Sequence, residues 1–359
     1  SLEINLSDRS KIKIEAKRQG GYVFVRSSGK YSSFSKRMSA YLGEEPEELF
    51  QSALTLLNPD RDLTLARSTV ITGNVRLPAG KNVVKSVKKD ISSWVENPFQ
   101  GKILPLPKDS FDISGSAVID SQISRFQEEI KQIKANASYE RTNFTIANQD
   151  DLKRFKESLS GNVFRGDLSI KEGNPKTPFD FNNDKVTIIG NLEIADSSYV
   201  TNLYAFVSGS INLRDYSHLE YGCLYALDSI LVSGFSEVAS GLISPVKIIL
   251  QDNVIARYPA FIYIASQNSN NHENQKASIQ ISGNARITGT LASSNFSLQY
   301  ERAIHRSRIL MSENTQLKGL LYTQNPVNLK GKITGSVFAY ESSFEEQYNS
   351  RPTVFINWI

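Results

Sequence analysis

One cysteine, three histidines and two methionines in 359 residues leave little for thiol, imidazole or thioether chemistry. Cys223 has no second cysteine to pair with, so an intramolecular disulfide is excluded and the redox compartment stays open. It lies between Gly222 and Leu224 in a strand-like run, which favours a buried structural thiol over a nucleophile. His218, His272 and His305 fall on separate segments, none with a second His, Cys or carboxylate at metal-ligand spacing. No metal site and no cofactor is therefore expected. G-x-S-x-G, H-E-x-x-H, P-loop and dinucleotide fingerprints are missing too, which weakens nucleophilic and metal-dependent readings.

Charge of one sign is also lacking. The net charge is +4, from 41 basic and 37 acidic residues interspersed along the chain, and this argues against a nucleic-acid partner. Lys81, Lys85, Lys88 and Lys89 form the densest cationic run and read as a solvated face rather than a phosphate or lipid site. No apolar run reaches the length of about 18 residues that a membrane helix needs. The chain opens on Ser1 rather than Met, which suits a mature or truncated product. Membrane attachment is then expected only through an upstream segment absent here.

What is abundant is short alternation. From Lys185 to Ala239, Val186, Ile188, Leu192 and Ile194 alternate, then Tyr204, Phe206, Ile211 and Leu213, then Leu224, Leu227, Ile230 and Val232. The step from Gly190 to Gly209 is repeated without change from Gly209 to Asp228. Strands restarting at a constant step without helical crossovers predict stacked coils of a β-solenoid, its long irregular coils favouring a right-handed path. The fold class expected is mainly β: a solenoid with a helical insertion and capping strands.

In chain order, residues 1–60 read as a β-rich cap or stalk, with a Gly20-Gly21 turn and one short helical turn within Glu44–Leu57. Residues 61–120 carry the first coils, interrupted over 81–110 by an excursion containing Pro98, Pro105 and Pro107; Phe111–Asp120 resumes the strand pattern. In 121–160 the period changes. Ile123, Phe126, Ile130 and Ile133 mark one helix face; Asn148 to Asp151 precede Leu152, Phe155 and Leu159, with Gly161 placed to stop a second helix. The pair reads as an insertion, either packed on the coils or projecting as a partner-binding arm. The main solenoid occupies 161–340, with a polar loop at 264–277, and 341–359 supplies a capping strand. Gly-Asn recurs at 73, 161, 190 and 283, where corners need left-handed backbone.

Two residue sets are candidates for a site. Of Asp196, Asp215, Asp228 and Asp252, only Asp196 and Asp215 are separated by the same step as Gly190 and Gly209. Only these two can therefore stack on one face as a catalytic acid pair. The competing reading makes them turn residues that hydrogen-bond their own backbone. Tyr204, Tyr216, Tyr221 and Tyr225 form the aromatic set, with Tyr199 beside them. Rings on an outer face stack on sugars or fill a protein interface, whereas rings in the core simply pack.

ITGNVRLPAG, ISGNARITGTLAS and GLLYTQNPVNLKGKITGSVFAY resemble repeats of polymer-forming bacterial β-helical proteins of the bactofilin type. The stretch from Leu56 to Gly80 also resembles exported bacterial proteins with one N-terminal membrane helix, a pilin-like layout and a β-helix. The resemblance implies a non-enzymatic structural scaffold or assembly component at the cell envelope, periplasmic or at the cell surface, meeting a protein partner or its own copies. Two alternatives stay open. One is a carbohydrate-active β-helix enzyme or adhesin with a polysaccharide partner; the other is a pilus-like subunit lacking its membrane helix.

Overall fold

A computed structural model of the chain describes residues 2–7, 10–19, 22–31, 34–42, 52–59, 62–65, 70–85, 99–106, 116–135, 142–182, 184–265, 277–293, 309–323, 325–340, 342–343 and 356–357. The chain divides into two units, Ser1–Glu45 and Pro46–Ile359. In the first, Leu2–Ser7, Ser10–Gln19, Tyr22–Tyr31 and Phe34–Leu42 form an antiparallel meander in chain order, with Gln19 opposite Tyr22. Of the helical turn expected within Glu44–Leu57, residues 44–51 lie outside the described residues, and Leu54–Leu56 is a strand.

The second unit is built from long parallel sheets, one of 17 strands and one of 10, in a solenoid-like succession. A single circuit shows the plan. Leu192–Ile194 lies in the smaller sheet, then the chain turns at Asp196–Ser197 into Tyr199–Thr201, turns again at Asn202, and runs along Tyr204–Val207 before re-entering the smaller sheet at Ile211. Each segment pairs in parallel with its equivalent in the next circuit: Leu192 with Ile211, Tyr199 with His218, Lys185 with Tyr204. The constant step seen in the sequence is thus a true register, and the Gly209 amide donates to the Gly190 carbonyl at 2.9 Å.

Register forces each residue to lie on its counterpart. Val186, Ala205, Leu224, Leu242, Ile262, Leu291, Leu321 and Val337 make one inward column, all but fully buried. Every member is apolar because it faces only other members of the core. The register does not stop at Val337: it continues onto buried Leu54 and Val75 and then onto Ile103, which is exposed at the end of the ladder. Strands early in the chain therefore extend the far end of the ladder, and rung order departs from chain order.

Helix α1, Ser116–Ala135, lies against the other side of these rungs. Its contacts step backwards through them: Asp120 accepts from the Tyr263 hydroxyl, Gln122 from the Tyr225 hydroxyl, Phe126 meets Phe206 edge-on at 5.0 Å, and Glu129 pairs with Lys185. At about 30 Å for 20 residues, α1 spans several rungs of about 4.8 Å. Of the strand expected over Phe111–Asp120, residues 111–115 lie outside the described residues, and Ser116–Asp120 instead opens this helix. The buried stripe Ile119, Ile123, Phe126 and Ile130 sets the helical period and outweighs the local alternation.

Helix α2, Gln149–Ser158, forms where its capping signals predict, the Asn148 side chain accepting from the Asp151 amide at 2.9 Å. Buried Phe155 packs among Phe144, Phe164 and Phe181 and covers the first rungs. This end is sealed by aromatics rather than left as an open sheet edge.

Later rungs place Gly289, Gly319 and Gly335 in one column, with φ of 157°, 144° and 135°. A Cβ on Gly319 would lie 2.0 Å from the Gly289 carbonyl oxygen. Gly319→Ala is expected to lower stability by about 1–3 kcal/mol, read as a fall in the urea midpoint, because both backbone region and space are lost. An unchanged midpoint would refute the close approach.

Candidate functional site

The corner between the smaller sheet and the Tyr199 segment repeats at each circuit. LEIADSS, INLRDYS, ILVSGFS, IILQDNV, IQISGNA and ILMSENT share two inward apolar residues, a turn residue, an outward residue and a small inward one. The turn residues Asp196, Asp215, Gly234, Asp252 and Gly283 have φ between 54° and 69°. A positive φ tolerates Gly and short polar side chains, which explains acids at this position without invoking catalysis.

Asp196 and Asp215 are brought onto adjacent rungs, the Ser197 amide donating to the Asp215 carbonyl at 2.8 Å. Each has a cation at hand: Lys171 stands 3.8 Å from Asp196, and Arg214 pairs with Asp215. Between them sits Glu193, unnoticed in the sequence because it is an outward strand residue. It accepts from Arg214 Nε and from Ser169 Oγ, both at 2.9 Å. The result is a chain of alternating charge, Lys171–Glu193–Arg214–Asp215, on the surface of three rungs. Asp228 and Asp252 are likewise engaged, accepting from Ser210 Oγ at 2.7 Å and from the Gly234 amide at 3.1 Å.

The four tyrosines separate into two environments. Tyr204 and Tyr225 are buried on the side of the rungs that α1 faces, and Phe206 and Tyr225 stack at 4.3 Å and 3°. Burial pushes the Tyr204 phenol up to about 12 and holds Tyr225 well above its usual value. Tyr216 and Tyr221 are exposed at two different corners, each with positive φ. Tyr216 stacks on exposed Phe235 of the next rung at 4.9 Å and 6°. Tyr199 stacks on His218 at 5.2 Å; burial, then the hydrogen bond to Glu220, pushes its phenol up to about 12. Cys223 is fully buried.

Further along the same corner the outward residue becomes asparagine. Asn253, Asn284 and Asn314 occupy equivalent positions of three successive rungs, and Asn284 Nδ2 donates to Asn253 Oδ1 at 3.1 Å. Beside them Arg286, Gln316 and Lys332 form one register column, all exposed. Together with Glu313 and Thr315 these residues line a cleft of about 420 Å³. Sequence spacing hid this set, because the steps from Asn253 to Asn284 and on to Asn314 are much longer than that from Gly190 to Gly209.

Among the described residues no cluster of three His, Cys, Asp or Glu side chains is placed to hold a metal ion, and no helix is long and apolar enough to cross a membrane. His272, His305, Lys88 and Lys89 lie outside the described residues. Comparison with known protein families, curated proteins and solved structures returns no match to this chain.

Glu193 makes the charge network testable. Burial alone would raise its pKa, but the hydrogen bonds from Arg214 and Ser169 and the charges of Arg214 and Lys171 outweigh it and hold the carboxyl below the ordinary 4.5. A lowered folded value contributes stability that is present above 4.5 and is lost as pH falls through the lowered value. Glu193→Gln should therefore flatten the acid limb of the stability profile below that pH, measured by urea midpoints. Parallel acid limbs in both proteins would contradict the assignment.

Proposed function

We propose that this chain is a non-enzymatic structural scaffold or assembly component of the bacterial cell envelope, and that its main body is a closed, right-handed β-solenoid. The observation that carries the reading is a pair of parallel ladders running side by side, one from Phe144 to Val327 and one from Val186 to Val337 and on to Leu54, Val75 and Ile103. Ten strands of the smaller sheet alone correspond to a body about 43 Å long at 4.8 Å per rung. A ladder of this kind makes a long, stiff surface from short repeated segments, the property a scaffold uses.

The acids support the same reading. Asp196, Asp215 and Asp252 serve positive-φ corners, and Lys171 and Arg214 offset the charge of Asp196 and Asp215. Exposed Tyr216 and Phe235 supply an aromatic anchor of the kind that concentrates binding energy in protein interfaces. Through them, or through an end of the ladder, the solenoid contacts a partner protein or its own copies. Its place is periplasmic or at the cell surface.

Two measurements test this. The purified chain should release no new reducing ends and no unsaturated sugars from a panel of acidic polysaccharides, and the protein should sediment with the envelope on cell fractionation. Turnover of any panel member would overturn the scaffold reading.

A further inference from the structure

We propose that the cleft along Asn253, Asn284 and Asn314 binds an anionic polysaccharide, laid parallel to the stacking direction of the rungs. Two columns of hydrogen-bonding groups border it. One presents the three amides, each able to donate and accept. The other presents Arg286, Gln316 and Lys332. Both repeat at the rung spacing of about 4.8 Å, so the surface matches a ligand that is itself an extended repeating chain.

The lining selects the ligand class. A cleft of about 420 Å³ falls in the size range of ligand sites, yet its side chains are amide, hydroxyl and charged rather than apolar. Paired amides meet sugar hydroxyls, while guanidinium and ammonium groups meet carboxylate, sulfate or phosphate substituents. Among the described residues no ion pair engages Arg286 or Lys332, whereas Arg257, on the preceding rung, is held by Glu237 at 2.7 Å. Glu313 is the single acid among the described lining residues and stands at the exposed corner. Among the described residues no aromatic ring lines the cleft, and single-stranded nucleic acid is ordinarily gripped by stacking on such rings. This site is independent of the scaffold reading: binding without cleavage is consistent with it, and absence of binding leaves it untouched.

The experiment is calorimetric titration of the full chain with polygalacturonate oligomers and with dextran sulfate, separating carboxylate from sulfate recognition. Neutral dextran and an oligothymidylate serve as comparisons. Arg286→Gln with Lys332→Gln should weaken binding of at least one anionic polymer roughly tenfold or more, since each removes a charge-assisted hydrogen bond. The equal charge change Lys131→Gln with Lys153→Gln, at exposed helical positions, should leave binding unchanged. All four substituted side chains are exposed, and thermal melting confirms that each variant folds. Any of four results would overturn the proposal: no binding of either anionic polymer, equal binding of neutral dextran, tighter binding of the oligonucleotide, or equal weakening by the two double variants.

Discussion

Backbone hydrogen bonding between successive rungs is the constraint from which the rest of this molecule follows. A parallel ladder holds each residue directly over its counterpart, at about 4.8 Å, so whatever occupies one position is answered by the same position one circuit away. The inward column from Val186 to Val337 is apolar throughout because no member can escape the core. The same rule puts Gly319 between Gly289 and Gly335, Phe206 on Tyr225, and Asn284 on Asn253. Surface chemistry on such a body comes in columns, and both the charge network around Glu193 and the amide-lined cleft are columns.

A ladder has two ends, and unpaired strand edges invite unwanted pairing. At one end α2 lays Phe155 across Phe144, Phe164 and Phe181. At the other, Leu54–Leu56, Val75–Leu77 and Ile103–Pro105 continue the pairing beyond Val337. Helix α1 reconciles these arrangements: it follows the terminal rungs in sequence and runs back along the ladder toward the first ones. The Phe206–Tyr225 stack, and Tyr263 two rungs beyond it, lie on an outward face that this helix covers. Without α1, those rings would be an exposed apolar patch.

The corner acids show how local backbone chemistry and site chemistry can be confused. Aspartate is favoured where φ is positive, and a solenoid repeats such a corner at every circuit. Stacking then aligns Asp196 and Asp215 on neighbouring rungs. Asp196 stands beside Lys171 and Asp215 pairs with Arg214, so both corner acids belong to a surface network of alternating charge.

Alternation restarting at a constant step was enough to place the parallel rungs around Leu192, Ile211 and Ile230, because register there equals sequence distance. The Gly283-Asn284 corner was legible as a repeat, but the longer steps around it hid that Asn253, Asn284 and Asn314, and Arg286 and Gln316, stack in columns. Helix α2 was legible from Asn148 and its caps; the start of α1 was not, since Ile113 and Val118 mimic a strand until tertiary packing selects Ile119 as part of a helical stripe. By itself the sequence determined local conformation: where strands run, where corners need left-handed backbone, which side chains must be buried. Only the tertiary structure decided that strands near residue 54 pair with strands near residue 337, and which of the tyrosines face solvent. Such choices depend on which distant segment competes best for an open edge or an apolar face, and no periodicity along the chain encodes that contest.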